Sequence, residues 1–182
     1  MRITISGPPG SGKTTACARL SEALGYRAEV FGQVFRDMAA SKGISVAELG
    51  AMAEKDPSID REIDSIILQV AKENDDIILE SRLSAYLTKK NGIEAFRIYL
   101  HASPDVRMRR ICVREDEEFD RTCNETIERE ESEAKRYMMY YGIDTTDLSV
   151  YDLIINTDKI SPNEVVDNIL GALNDRNACK RP

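Results

Sequence analysis

Arg2-Ile3-Thr4-Ile5-Ser6, followed at once by Gly7-Pro8-Pro9-Gly10-Ser11-Gly12-Lys13-Thr14 and then Thr15, decides how the chain is read. Residues 2 to 6 are β-branched in part and stop at a glycine-proline turn, the pattern of a short buried strand. Residues 12 to about 24 carry Ala16, Leu20 and Leu24 at helical spacing and end at Gly25. Between them lies GxxxxGK[ST], a phosphate loop in the strand, loop and helix setting that the motif requires. The residue types suit the task. Glycines let the backbone curl until successive amides point inward, and the amino terminus of the helix adds partial positive charge. The nest fits the β-phosphate of ATP, so residues 7 to 15 are the expected ATP-binding segment. Lys13 bridges the β- and γ-phosphates there, and Thr14 offers its hydroxyl to Mg2+.

The rest of the chain alternates in the same way. Strands are expected at 27–31, 76–80 (DIILE), 96–100 (FRIYL) and 152–156 (DLIIN), each a compact apolar run between polar turn residues. Helices are expected at 32–42 and, after a Ser45–Glu48 capping box, in a segment broken at Asp56-Pro57. Ile59, Ile63, Ile66, Ile67 and Val70 extend a helical pattern over 58–73. Ser103-Pro104 opens another helix. A long charged helix is read over 122–141, with Thr122 and Glu125 as its capping box and Gly142 as its stop, and a last helix opens at Ser161-Pro162. Strands alternating with helices specify an α/β fold: a parallel sheet of about five strands with helices on both faces. Ligands then sit beyond the carboxyl ends of the strands, at the loops after Ser6, Val30, Glu80 and His101. The tail from Arg176 onward is expected to be unpacked.

At 182 residues the chain fits a single domain, and 42% hydrophobic with 31% charged residues is ordinary for a globular protein. A net charge of −7 opposes polyanions, so nucleic acid is excluded as a partner and any bound anion must be held locally. Cys17, Cys112, Cys123 and Cys179 are scattered without a CxxC pair, which fits reduced cytosolic thiols. No run reaches the roughly 18 apolar residues of a membrane span, and the opening residues lack the layout of a signal peptide. The expectation is a cytoplasmic monomer with no membrane partner.

Arg107, Arg109, Arg110 and Arg114 crowd one segment, with Arg107, Arg110 and Arg114 on one helical face. Either an anion lies between them or they pair with Glu115, Asp116, Glu117 and Glu118. Arg129, Glu133 and Arg136 share the next helix and are either functional or part of a salt-bridged surface. Arg36 and Arg82 each follow a strand at the ligand edge of the sheet. Glu80 closes a strand and either orients Mg2+ through water or is an ordinary strand-end charge. His101 is read as structural.

These motifs together resemble the nucleoside monophosphate kinases, and among them the archaeal-type cytidylate kinases, over nearly the whole chain to about residue 174. Beyond GPPGSGKTT, the segment FGQVFRDMA at 31–39 is similar to the opening of the family's monophosphate-binding region and implies Arg36 on the acceptor phosphate. ILESRLSAY at 78–86 implies Arg82 as a second acceptor-phosphate ligand and Glu80 near the metal, while LHASPDVRMRRICVRE at 100–115 implies that Arg110 and Arg114 reach the transferring phosphate. REESEAKR at 129–136 is similar to the RDxxDSxR segment of bacterial cytidylate kinases and implies acceptor binding by Arg129, Glu133 and Arg136. Glu130, Glu133 and Ala134 depart from that pattern, and Tyr86 stands where adenylate kinases carry an adenine-reading glutamine. The implied organisation is a core at 1–31, 71–112 and 124–175, a monophosphate-binding region at about 32–70 and a short lid at about 113–123. The implied activity is transfer of the γ-phosphoryl of ATP to CMP or dCMP. UMP, AMP or a non-nucleotide alcohol are alternative acceptors, and a nucleotide-binding regulatory module is the rival of another class.

Overall fold

A computed structural model describes residues 1–116 and 118–179, except for the side chains of 115, 177 and 179. Five strands, β1 (Arg2–Ser6), β2 (Arg27–Val30), β3 (Ile77–Glu80), β4 (Phe96–His101) and β5 (Leu153–Asn156), form one sheet in the order β2-β3-β1-β4-β5. All four neighbouring pairs are parallel, in a register that sets Ile5 beside Glu80 and Ser6 beside Tyr99. Strand order reverses direction at β1. The crevice beyond its carboxyl end is therefore the topological position for a ligand.

The helices are α1 (Lys13–Leu24), α2 (Phe31–Ser41), α3 (Val46–Ala53), α4 (Ser58–Glu73), α5 (Ser84–Lys90), α6 (Pro104–Glu115), α7 (Phe119–Tyr141) and α8 (Pro162–Cys179). Residues of a strand alternate between the two faces, and β3 shows the consequence. Its Ile78 joins Leu20 of α1 and Ile169 of α8 in the core on one side, whereas Ile77 and Leu79 join Ile67 of α4, Leu87 of α5 and Tyr137 of α7 on the other. A smaller cluster of Ala39, Leu49, Ala53 and Ile59 binds α2, α3 and the start of α4 into a helical flank. The Ser45 and Glu48 side chains and backbone amides exchange both capping-box hydrogen bonds at the start of α3.

Three expectations are corrected. The long charged helix starts at Phe119 with Glu118 in the extended N-cap position, so Thr122 and Glu125 form no capping box. Thr122 is buried inside the first turns, and Glu125 accepts from Arg121 at 2.8 Å. Helix α5 is absent from the pattern reading because its seven residues are too few to display a period. The tail is packed at its start: α8 runs to Cys179, and Arg176 donates to the Ala95 carbonyl at 3.3 Å while lying over the Phe96 ring. Residues 180 to 182 lie outside the described residues. The described residues of the 113–123 segment are helical apart from Asp116 and Glu118, since α6 ends at Glu115 and α7 begins at Phe119; Glu117 lies outside the described residues.

Candidate active site

The phosphate loop is shaped by crowding. Gly7 has φ +145, and a Cβ there would stand 2.0 Å from the Leu100 carbonyl oxygen of β4. Gly10 has φ +75, and a Cβ there would stand 2.5 Å from the carbonyl oxygen of Arg107 in α6. Only glycine tolerates both the backbone conformation and these approaches. Gly12 caps α1 in the left-handed region without any side-chain hydrogen bond, which leaves the amides of the first turn directed at the loop's concavity.

A backbone that turns its amides inward turns its carbonyls outward, and four consecutive carbonyls each meet a cation. Arg82 donates to Gly7 O at 3.4 Å, Lys13 to Pro8 O at 2.8 Å, Arg107 to Pro9 O at 3.1 Å and Arg110 to Gly10 O at 3.3 Å. The bonds fix the loop and place positive charge around it without filling its mouth. Arg107, itself buried, is held by Glu130 at 2.5 Å. Arg110 also grips Thr157 through its hydroxyl at 3.0 Å and its carbonyl at 2.7 Å.

In front of the loop, Thr14 donates its hydroxyl to Glu80 at 3.0 Å, because β1 and β3 are adjacent and end at the same level. The pair offers two hard oxygens beside a phosphate nest, which fits Mg2+, an ion that keeps several waters and takes the remaining ligands from phosphate. Among the described residues no group of three or more His, Cys, Asp or Glu side chains forms a metal cage. Burial, reinforced by the Arg82 guanidinium, pushes the Lys13 ammonium down to about 7.

The loop opens into a cavity of about 450 Å³ that reaches from Lys13, Thr14 and Glu80 to Arg36, Arg82, Arg114, Arg129 and Arg136. Glu133 organises this charge. It is buried and accepts from Arg82 and from Arg129, each at 2.9 Å. Burial alone would raise its carboxyl, but Arg82 and Arg129 outweigh it and hold the pKa below the ordinary range. Arg136 is paired with Asp60 of α4 at 2.8 Å and lies 5.9 Å over both the Phe35 and the Tyr137 rings. Arg36, on exposed α2, donates to Gln33 at 2.8 Å. Phe31, Phe35, Ile63 and Tyr137 provide an apolar wall.

The structure thus brings together Lys13, Thr14, Glu80, Arg36, Arg82, Arg114, Arg129, Glu133 and Arg136 around one cavity. Arg110 departs from its expected place. Its guanidinium caps the outside of the loop and lines a neighbouring hollow with Thr157, Ile160 and Pro162, because α6 rises behind the loop rather than across its mouth. The shared face of Arg107, Arg110 and Arg114 is real, but loop carbonyls take the place of an anion for the first two. The proposed pairing of these arginines with Glu115 and Glu117 falls on side chains outside those described. Tyr86 turns away and donates to the Asp147 carbonyl at 2.8 Å. Asp60 and Asp64 were missed, although two carboxylates one turn apart beside Ile59, Ile63 and Ile67 on the buried face of α4 are a visible anomaly in the sequence.

Solved structures share the architecture. An uncharacterized protein from Eubacterium ventriosum superposes with a TM-score of 0.72 at 16% identity, over 96% of this chain and 98% of the other. Shikimate kinase from Bacteroides thetaiotaomicron gives 0.62 at 17% identity over the same shares. At such identities the likeness concerns the fold alone. Sequence relatives are nearer: the cytidylate kinase of Natronomonas pharaonis is 46% identical over 96% of this chain and 90% of its own length, and that of Sulfurisphaera tokodaii 42% identical over 96% of both. Residues 2–159 match the cytidylate kinase-like family. With its phosphate loop, its arginine-lined cavity and this likeness over nearly its full length, the chain belongs to the cytidylate kinase-like family.

Proposed function

We propose that this protein transfers the γ-phosphoryl group of ATP to CMP, and to dCMP, as a cytoplasmic monomer. The observation that carries the reading is the single cavity in which the phosphate loop and a cluster of arginines face each other, in a chain 46% identical to a cytidylate kinase. Two nucleotides with several negative oxygens must meet in line, so the protein's work is positioning and charge neutralisation. The loop amides and Lys13 hold the β- and γ-phosphates, and Arg110 with Thr157 borders the hollow for the remainder of ATP. Arg36 and Arg82 hold the acceptor phosphate, with Arg129 and Arg136 behind them. A phosphate oxygen of CMP attacks the γ-phosphorus, the bond to the β–γ bridging oxygen breaks, and ADP leaves with that electron pair. No general base is required, because the attacking oxygen is already anionic. Lys13 and Arg114 stabilise the charge that develops on the transferring group. Mg2+, held by the Thr14 hydroxyl and through water by Glu80, would supply further neutralisation of the phosphate oxygens.

The 32–70 region and the 113–123 segment border the cavity and are suited to close over it and exclude water. The test is release of ADP from ATP and Mg2+ with each of the four ribonucleoside monophosphates. CMP is expected to be the preferred acceptor, and Lys13→Ala to abolish transfer while leaving the fold intact. Nucleotide binding without phosphorylation of any monophosphate would overturn the reading.

A further inference from the structure

Helix α7 holds the phosphate loop by two arms that leave it from neighbouring positions on one face. Glu133 accepts from Arg82, which donates to Gly7 O, and Glu130 accepts from Arg107, which donates to Pro9 O. The arms differ in what else they face. Arg82 and Glu133 line the cavity, as Lys13 does, and Arg110 lines the hollow with Thr157. Arg107 is buried and lines neither, while Glu130 borders a separate hollow behind the loop with Gly7, Pro8 and Tyr99. Of the four cations on the loop carbonyls, Arg107 alone is turned away from both.

We propose that Arg107 is a positioning residue for phosphoryl transfer, oriented by Glu130 so that the Pro9–Gly10 turn keeps the loop amides, and through them the γ-phosphate, in line with the acceptor. The inference rests on the transfer reaction proposed above. Arg107 meets the loop at two successive residues. Its guanidinium donates to Pro9 O at 3.1 Å, and a Cβ at Gly10 would stand 2.9 Å from its Cα, so side chain and backbone together template the turn. Glu130 takes both terminal nitrogens of the guanidinium, at 2.5 and 3.4 Å. A planar fork held at two points has a fixed plane, which aims the remaining hydrogen of the first nitrogen at Pro9 O.

The reaction gives the second arm a purpose. An acceptor phosphate on Arg82 competes with Glu133 and Gly7 O for one guanidinium, so the Gly7 arm slackens as the acceptor binds. The Arg107 arm touches neither substrate and holds throughout. A displacement of about 1 Å between reacting groups can cost about a hundredfold in rate, so a loop released at Pro9 loses turnover. Acceptor binding is insulated from that loss, because α7 is anchored on the acceptor side by other contacts: Arg136 to Asp60 at 2.8 Å, and the Tyr140 hydroxyl to the Ala53 carbonyl at 2.7 Å.

The experiment measures the single-turnover transfer rate at saturating ATP and CMP, the KM for each, and the melting temperature in Arg107→Met, Glu130→Gln and the double variant. Each single variant strands the charge of the other residue and loses stability, whatever its part in transfer. The double variant strands no charge and recovers stability, yet Pro9 O still lacks its cationic donor. Its transfer rate is expected to stay below that of the wild type by about tenfold or more, with the KM for CMP nearly unchanged. Recovery of the rate together with the melting temperature overturns the proposal, since the pair is then structural alone. A loss confined to the KM for CMP also overturns it, since it would assign Arg107 to acceptor binding. Arg107→Lys keeps a charge opposite Glu130 without the planar fork and gives a reading should the double variant fold poorly: its transfer rate is expected to fall about tenfold, and a wild-type rate overturns the proposal. If the wild type phosphorylates none of the monophosphates, the functional reading itself falls, and the Arg107 assignment with it; a wild type that uses CMP keeps the reading standing whatever the variants do.

Discussion

Glu133→Gln tests the charge balance among the arginines that line the cavity. The carboxylate is buried and neutralises two guanidinium groups, each at 2.9 Å, whose side chains keep 21% and 33% of their exposure. Removing one partner of a buried pair costs about 3–5 kcal/mol, because the remaining charge is stranded. Partial solvation of both arginines sets the lower end, about 3 kcal/mol. For a chain of this size that lowers the melting temperature by about 6–12 °C. The Glu133 pKa is depressed in the folded protein, so its contribution is complete above the ordinary carboxylate range and is lost as pH falls through the folded value. The deficit of the variant is therefore equal at about pH 6 and 8 and narrows below about pH 4. Scanning calorimetry at these pH values, with and without CMP, reads both effects. CMP brings an anion that meets the stranded arginines, so it raises the melting temperature of the variant more than that of the wild type. A melting temperature within about 2 °C of the wild type at neutral pH would refute the reasoning.

Other tests follow from single residues. In the absence of nucleotide Lys13 is depressed to about 7, and a bound diphosphate raises it again, so binding of Mg-ADP at about pH 8 takes up as much as one proton, which vanishes near pH 6 and in Lys13→Met. Calorimetry in buffers of different ionisation enthalpy measures this, and equal proton uptake in the variant would refute it. Arg36→Ala is expected to raise the KM for CMP about tenfold or more while changing that for ATP much less, since loss of one charge-assisted contact to phosphate acts on the acceptor alone. Equal loss for both substrates would make Arg36 structural. Asp64→Asn removes a buried carboxyl whose pKa is raised from 3.8 to about 6, and a raised carboxyl costs stability above its folded pKa. The variant is thus more stable than the wild type at about pH 8, by up to about 3 kcal/mol, and the advantage disappears near pH 4. Thermal melts at the two pH values decide it; a variant less stable at pH 8 contradicts the burial cost assigned to the Asp64 charge.

The strands and the phosphate loop were legible because their causes are local. β1, β3, β4 and β5 are compact apolar runs, and the loop needs glycine where the backbone enters the left-handed region, as at Gly10 and Gly12. The start of α7 was misread because Thr122 and Glu125 have the spacing of a capping box, and spacing does not reveal that Thr122 is buried against neighbouring elements. The arginines were legible as a set and not as individuals. Arg107 meets Pro9 across 98 positions of sequence and Arg110 meets Gly10 across 100, so their role as caps on the outer carbonyls of the loop depends on where α6 docks. By itself the sequence determined a nucleotide-gripping loop on a parallel sheet, since both arise from contiguous residues obeying short-range backbone and burial rules. Tertiary structure alone decided which cations face the cavity and which brace the loop, because electrostatic partnership is set by distance in space, which pairs residues that the chain keeps far apart.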